Sequence, residues 1–183
     1  ATTAITYLAN DSSKTIADAI NTSTTANRVG VKATVENTTS LTFSTNTSGE
    51  TIDFNINNVT LSLSSFDQGD LTDLVIAINS DASIGVTASL DVNDSSRLVL
   101  TSDDDIAVEL DAVTSSVAGT MTVTGNDGSA LAATAIGSQV ISVGKVSLSS
   151  TESFRIVDGN ADLFAVGTTT DSSLNSVQGI DLR

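Results

Sequence analysis

The sequence predicts an α+β fold that is predominantly β, with two β-rich domains, each holding one short helix packed on antiparallel strands. Two observations predict it. In LTDLVIAINSDASIGVTASL, residues 71–90, apolar residues at helical spacing end at Ile-Asn, and a strict alternation of apolar and polar residues follows. The same change of rhythm occurs in KTIADAINTSTTANRVGVKATV, residues 14–35, which indicates a duplicated unit.

The first unit opens with a predicted strand at residues 5–7 and continues into a short helix. Apolar residues at helical spacing predict one buried helix face. The residues of this face are Ile16, Ala19 and Ile20. Ser12 and Ser13 precede it as the helix cap, and Asn21 follows it as the residue that ends the helix.

Gly30 then opens a predicted strand whose side chains alternate between two faces. The inward-facing residues are Val31, Ala33 and Val35. We expect a turn near Asn37-Thr38, because Asn is a common turn residue. A return strand with Leu41 and Phe43 on its apolar face completes a predicted hairpin.

The second unit repeats this plan with a clearer helix. Two strands come first, with apolar positions at Ile52, Phe54, Ile56, Val59, Leu61 and Leu63. The helix then places apolar residues at i, i+3, i+4 and i+7. These are Leu71, Leu74, Val75 and Ile78. Asp70 is the predicted N-cap, and Asn79 tolerates the left-handed conformation in which helices end.

A second hairpin follows, opened by Gly85. Its first strand has apolar positions at Val86, Ala88 and Leu90, and its return strand has them at Leu98 and Leu100. Asn93-Asp94 is the predicted turn between them. Three landmarks repeat at a nearly constant offset: Asn21 to Asn79 is 58 positions, Gly30 to Gly85 is 55, and Leu41 to Leu98 is 57.

The chain beyond Asp105 is predicted to be strands. They are residues 106–110, 121–124, 140–143, 146–148 and 154–157. Gly-Asn-Asp-Gly at 125–128 and Asp-Gly-Asn at 158–160 are predicted turns. SALAATAIGS, residues 129–138, fits either a linker or a short helix.

Composition excludes several functions. Among 183 residues, 22 acidic residues against 7 basic ones give a net charge of −15, so nucleic acid and anionic membranes are not expected partners. There is no Cys and no His, which removes thiolate ligands, imidazole ligands and the commonest general base. The sequence therefore predicts no catalytic residues, no metal ligands and no cofactor.

Asp103-Asp104-Asp105 is the densest acidic cluster. Ca²⁺ prefers six to eight oxygen ligands, but no EF-hand spacing is present, so a solvated turn is favoured. Carboxylate pairs for glycoside hydrolysis are available in any acidic β protein. With five Phe, one Tyr and no Trp, the chain has little aromatic surface on which sugars stack.

The repeated element resembles the "IN" motif of bacterial flagellins and related hook-associated proteins. It comprises Ile20, Asn21, Gly30, Val31 and Ala33 in the first copy, and Ile78, Asn79, Gly85, Val86 and Ala88 in the second. GKVSLSSTESFRIV at 144–157 and SLNSVQGIDLR at 173–183 resemble the flagellin segment that returns to the filament core.

The resemblance implies the surface-exposed central variable region of a flagellin: extracellular, antigenic and not catalytic. The long terminal helices by which flagellin subunits bind one another are absent, so the chain is expected to be a monomeric piece of a longer protein. Residues 1–46 with 138–183 would form an inner domain, and 47–137 an inserted tip. The stretches 45–49 and 129–138 are the predicted crossings between them.

Alternatives remain. A flagellar cap or hook-associated protein is one, and an extracellular adhesin or carbohydrate-binding module is another, with host antibodies or surface glycans as partners. Asn-x-Ser/Thr triplets begin at Asn10, Asn21, Asn37, Asn46, Asn58 and Asn93. Such triplets arise by chance in a chain this rich in Asn, Ser and Thr, and the resemblance favours O-linked glycosylation instead.

Overall fold

A computed structural model describes Leu8 and residues 10–28, 30–44, 50–113, 120–133, 137–152, 155–157 and 169–171. The fold is α+β and mostly β, as predicted. The helices are α1 (Ser13–Thr22), α2 (Thr24–Arg28) and α3 (Thr72–Ser80), with a 3-10 turn at Ala82–Ile84. None of the described helices is long and apolar enough to cross a membrane.

Twelve strands are present in the described residues. They are β1 (Lys32–Ser44), β2 (Glu50–Ile56), β3 (Val59–Phe66), β4 (Thr87–Asp91), β5 (Asp94–Ser102), β6 (Ile106–Val113), β7 (Thr120–Thr124), β8 (Ala130–Ala133), β9 (Gln139–Ser142), β10 (Lys145–Ser149), β11 (Arg155–Val157) and β12 (Thr169–Asp171).

Two compact units make up the chain. One comprises residues 1–11, 15–34 and 147–183, and the other comprises residues 12–14 and 35–146. We call them the terminal unit and the central unit. That residues 47–137 form a separate inserted tip domain stays a prediction.

The central unit is built on two sheets. One has the order β4-β5-β1-β7-β8, with β10 also paired to β1, and the other has the order β3-β2-β6-β9. β1 pairs antiparallel with both β5 and β7, and Leu41 lies opposite Leu98 on one side and opposite Val123 on the other. The two return-strand landmarks Leu41 and Leu98 are therefore cross-strand partners.

One apolar cluster fills the central unit. It draws on both sheets and on α3, and its largest fully buried side chains include Phe54, Leu41, Leu74, Ile78 and Leu100. The strands β2, β5, β6 and β7 contribute alternate residues to it, because side chains along a strand point to opposite faces. This core is the main source of stability in the central unit.

The terminal unit contains most of α1, all of α2 and the first residues of β1. Among its described residues, the buried apolar ones are Ala17, Ile20, Ala26, Val31 and Ala33. Of the predicted apolar face of α1, Ile20 is buried while Ile16 and Ala19 are half-buried, and Ala17, which was not predicted, is buried as well. β11 and β12 form a separate two-stranded ladder in this unit.

The turn predicted near Asn37-Thr38 is wrong. β1 continues unbroken from Lys32 to Ser44, and both Asn37 and Thr39 are fully buried within it. A buried Asn normally needs hydrogen-bond partners, and the Asn37 side chain has them. Its Nδ2 donates to the carbonyl oxygen of Ser142 at 2.8 Å.

The segment 129–138 also differs from its prediction as a linker or short helix. Residues 130–133 form β8, which pairs with β7 so that Ala132 lies opposite Thr122. The edge of β7 supplies the backbone hydrogen-bond partners of these residues, so that they form a strand. The predicted strand at residues 5–7, the stretch 45–49 and the turn at 158–160 lie outside the described residues.

Candidate functional site

In the Ile-Asn element of the central unit, the Asn side chain hydrogen-bonds the backbone of the strand that follows the helix. Nδ2 of Asn79 donates to the carbonyl oxygen of Ala88 at 2.9 Å, and the amide of Ala88 donates to Asn79 Oδ1 at 2.8 Å. This pair of bonds imitates the bonding of a neighbouring strand. We call it the Asn-Ala bridge.

The terminal unit contains a second Asn-Ala bridge. Asn21 Nδ2 donates to the carbonyl oxygen of Ala33 at 2.9 Å, and the Ala33 amide donates to Asn21 Oδ1 at 2.8 Å. The two bridges use the same atoms although the sequence separations are 12 and 9 residues. The structure therefore joins Asn21 to Ala33 and Asn79 to Ala88, within their own units.

The other motif residues also hold matching places. Gly30 and Gly85 have φ of 67° and 70°, the left-handed region that glycine adopts without steric cost. Each glycine lies two residues before a strand begins, at Lys32 or Thr87. Ile20 and Ile78 are buried, as are Val31, Ala33 and Ala88, and Val86 is half-buried against the core.

The role expected for Asn21 and Asn79 is different in the structure. Both helices continue one residue beyond the Asn, to Thr22 and Ser80, and neither Asn has a positive φ. The Asn therefore lies inside the last helical turn, where its side chain bonds the following strand. The predicted N-cap is also displaced: Leu71 occupies that position, and Asp70 accepts from the Thr72 amide at 3.1 Å.

The acidic cluster bonds the residues that open α1. Asp105 Oδ1 lies 2.6 Å from Ser13 Oγ and accepts from the Gly144 amide at 2.8 Å. Asp104 Oδ1 accepts from the Lys14 amide at 3.2 Å. Amides in the first turn of a helix lack intrahelical partners, and these carboxylates supply them. Asp105 and Asp104 therefore act as structural acceptors.

Asp103 forms an ion pair with Lys14, whose Nζ lies 2.7 Å from Asp103 Oδ2. Its hydrogen bond with Lys14 lowers the pKa of the Asp103 carboxyl. The side chains of Lys14 and Asp103 are 46% and 72% exposed, so this pair contributes little stability.

An open groove of about 450 Å³ lies beside this cluster in the central unit. It is lined by carboxylates and amides together with apolar Ile84 and Ile141. Asn57 and Asn58, at the tip of the β2-β3 hairpin, form part of its wall. Among the described residues, no group of three or more Asp and Glu side chains is arranged to hold a metal ion.

Asn57 is a bridging residue that the sequence did not reveal. Its Oδ1 accepts from the Ala107 amide and its Nδ2 donates to the carbonyl oxygen of Ile84, both at 2.9 Å. The consecutive Asn57-Asn58 between two alternating strands was the available signal. Both residues have positive φ, 50° and 65°, as a type I′ two-residue hairpin turn requires.

Comparison with known proteins adds no family assignment. No protein-family model matches the chain, and a search of curated proteins finds no significant match.

Proposed function

We propose that this chain forms the surface-exposed variable domains of a flagellar filament subunit. Its role would be structural: it contributes the filament exterior and the antigenic face, and it carries out no catalysis. The domains would lie outside the cell, and contacts between subunits would be made by core helices that belong to other parts of the full-length protein.

The recurrence of the Asn-Ala bridge is the observation that carries this proposal. The Ile-Asn element supports a flagellin relationship by sequence, and the two copies share one bonding pattern, one left-handed glycine and one buried Ile. A scaffold element used twice in one chain suits a display domain, whose exposed loops vary while its frame is kept.

Charge supports the same function. The net charge of −15 gives neighbouring copies of the domain like-charged surfaces. Like charges repel at short range, which would discourage filaments from bundling. Among the described residues a single salt bridge, Lys14 with Asp103, pairs an acidic side chain with a basic one, so most acidic charges in this part of the chain are not neutralised by a basic partner.

Filaments sheared from the source cells test the proposal. Peptides of this chain should be among the most abundant in the purified filament, in one polypeptide with heptad-patterned helices on both sides. A chain absent from sheared filaments would remove the flagellin assignment. Its recovery in trace amounts would favour the cap or hook-associated alternative, because those proteins are present in few copies.

The groove favours one further candidate, an adhesin or carbohydrate-binding module. Its volume lies in the range of small-ligand sites, and its wall mixes hydrogen-bonding and apolar side chains. Saturable binding on a glycan array, lost in Asp103→Asn, would support this alternative. A Ca²⁺-dependent version also predicts a melting temperature that falls on addition of EDTA, whereas the filament proposal predicts no shift.

A further inference from the structure

We propose that Asn58 is an acceptor site for an N-linked hexose, a modification that goes beyond the proposed function and is distinct from the O-linked glycosylation that the flagellin resemblance favours. An N-linked sugar is added to Asn in the triplet Asn-x-Ser/Thr, and the Asn must lie on an accessible surface. The sequence alone offers six triplets. The structure separates them.

In two of the triplets the Asn side chain is already hydrogen-bonded within the fold. The Asn21 amide is used in its Asn-Ala bridge. Asn37 is fully buried, with Nδ2 bonded to the carbonyl oxygens of Ser142 and Asp104. A sugar on either side chain would remove these bonds and, at Asn37, would need space inside the core. The triplet at residue 46 lies outside the described residues.

Three described triplets have an exposed Asn: those at Asn10, Asn58 and Asn93. Their third residues distinguish them. Ser12 is half-buried, and Ser95 Oγ donates to the carbonyl oxygen of Gly69 at 3.2 Å. Thr60 is exposed.

Within the described part of the chain, neither the Asn58 amide nor the Thr60 hydroxyl makes a hydrogen bond. Asn58 therefore opens the described triplet in which both groups that define an acceptor are exposed and unbonded. No side-chain hydrogen bond of Asn58 or Thr60 has to break before the sugar is attached.

The local backbone presents Asn58 to solvent. Ile56 pairs with Val59, so Asn57 and Asn58 are the two residues of a tight hairpin tip. The positive φ of Asn58 fits this tip, and the bonds of Asn57 to Ala107 and Ile84 hold it in place. Asn58 also lines the groove, together with Ser102 and Asp103.

The chemistry needs one co-reactant, a nucleotide-activated hexose, and a separate glycosyltransferase. Nδ2 of Asn58 forms a bond to C1 of the hexose, and the bond between C1 and the diphosphate oxygen breaks. The nucleoside diphosphate leaves with that electron pair. The amide loses one proton to a base of the transferase, so no oxidant or reductant is involved.

The test incubates the folded chain with UDP-glucose and a soluble Asn-x-Ser/Thr glucosyltransferase shown to modify a synthetic peptide of residues 55–62. Peptide mapping by mass spectrometry should find one hexose on Asn58 and none on Asn21 or Asn37. Asn58→Gln and Thr60→Val should each lose the hexose, while Thr60→Ser and the matched tip variant Asn93→Gln should keep it.

Three results would overturn the site assignment: no hexose on Asn58 of the folded chain although the peptide is modified, a hexose that persists in Asn58→Gln, or preferential modification of Asn93. The same peptide from protein purified from its own cells should carry the hexose, and an unmodified mass there would end the claim for the native protein. None of these results bears on whether the chain lies on a filament.

Discussion

The side-chain amide of Asn79 bonds both backbone polar groups of Ala88, with Nδ2 to oxygen at 2.9 Å and amide to Oδ1 at 2.8 Å. Asn is suited to this because its side chain has a donor and an acceptor in the arrangement of a peptide group. The bridge ties the end of α3 to the start of β4. Helix and hairpin in the central unit are thereby connected by a side chain as well as by the core.

Replacing Asn79 by Ala should lower the free energy of unfolding of the central unit by about 1 to 3 kcal/mol, because two hydrogen bonds are lost and their backbone partners are left partly buried. Asn79→Asp keeps the acceptor, loses the donor and should be intermediate. Urea unfolding of the whole chain measures both. The exposed tip variant Asn93→Ala is the control and should change little; an equal loss in both Ala variants would contradict the bridge.

Ile78→Ala should cost about 2 to 5 kcal/mol, since Ile78 is fully buried and its truncation leaves a cavity. Ile76 lies on the same helix and is 60% exposed, which makes Ile76→Ala a matched control with the same change of side chain. Denaturant midpoints of the two variants should separate clearly. A loss below about 0.5 kcal/mol for Ile78→Ala would show that this helix face is not buried.

Gly144→Ala should destabilise the central unit by about 1 to 3 kcal/mol through overpacking. A Cβ at Gly144 would lie 2.7 Å from Val35 Cγ1 and 3.1 Å from Ser13 Cβ. Thermal unfolding of Gly144→Ala, Val35→Ala and the double variant measures this contact. The double variant should lose less stability than the sum of the losses in the two single variants. Strictly additive losses would argue against the clash.

Four carboxylates near the surface should make the stability of the fold depend on pH in the acid range. Hydrogen bonds from the Ser or Thr two residues later lower the pKa values of Asp70, Asp81, Asp94 and Asp127 below the ordinary 3.8. A carboxyl whose pKa is lower in the folded state stabilises the fold above its unfolded pKa, and the contribution is lost as pH falls through the folded pKa.

Urea midpoints should therefore fall as the pH is lowered below about 4. For Asp94 the largest cause is the hydrogen bond from the Ser96 side chain. Ser96→Ala should make the acid dependence shallower, whereas Ser89→Ala on the neighbouring strand should leave it unchanged. An identical acid profile in Ser96→Ala and the unmodified chain would contradict this assignment.

The local sequence pattern was sufficient to predict which residues are buried where burial follows the spacing of apolar residues along a helix or strand. Leu71, Leu74 and Ile78 at helical spacing are buried on α3, and Leu98 and Leu100 on the predicted return strand are fully buried. The strand predicted from Gly85 onward is present as β4, which begins at Thr87, and Gly85 itself ends the 3-10 turn in the left-handed region that glycine adopts without steric cost. These features depend on residues within a few positions of one another.

Hydrogen bonds between residues far apart in the sequence could not be predicted from the sequence. Asn37 suggested a turn, but its side chain bonds Ser142 and Asp104, which are 105 and 67 positions away. The carboxylate of Asp105 bonds Ser13 across 92 positions. No local pattern shows which distant backbone group a polar side chain will meet, since that depends on the strand order of both sheets. The Asn-Ala bridges span only 12 and 9 positions, and the sequence did not reveal them because Asn at the end of a helix is equally typical of a residue that ends the helix.

The location of the chain on the cell tests the central claim most directly. Antibodies raised against residues 1–183 and visualised by immunogold electron microscopy should label the source organism's flagella along their whole length, with little label on the cell body. Label confined to the filament tip or to the hook junction would instead support a cap or hook-associated protein. Label on the cell surface, with unlabelled flagella, would contradict the filament assignment.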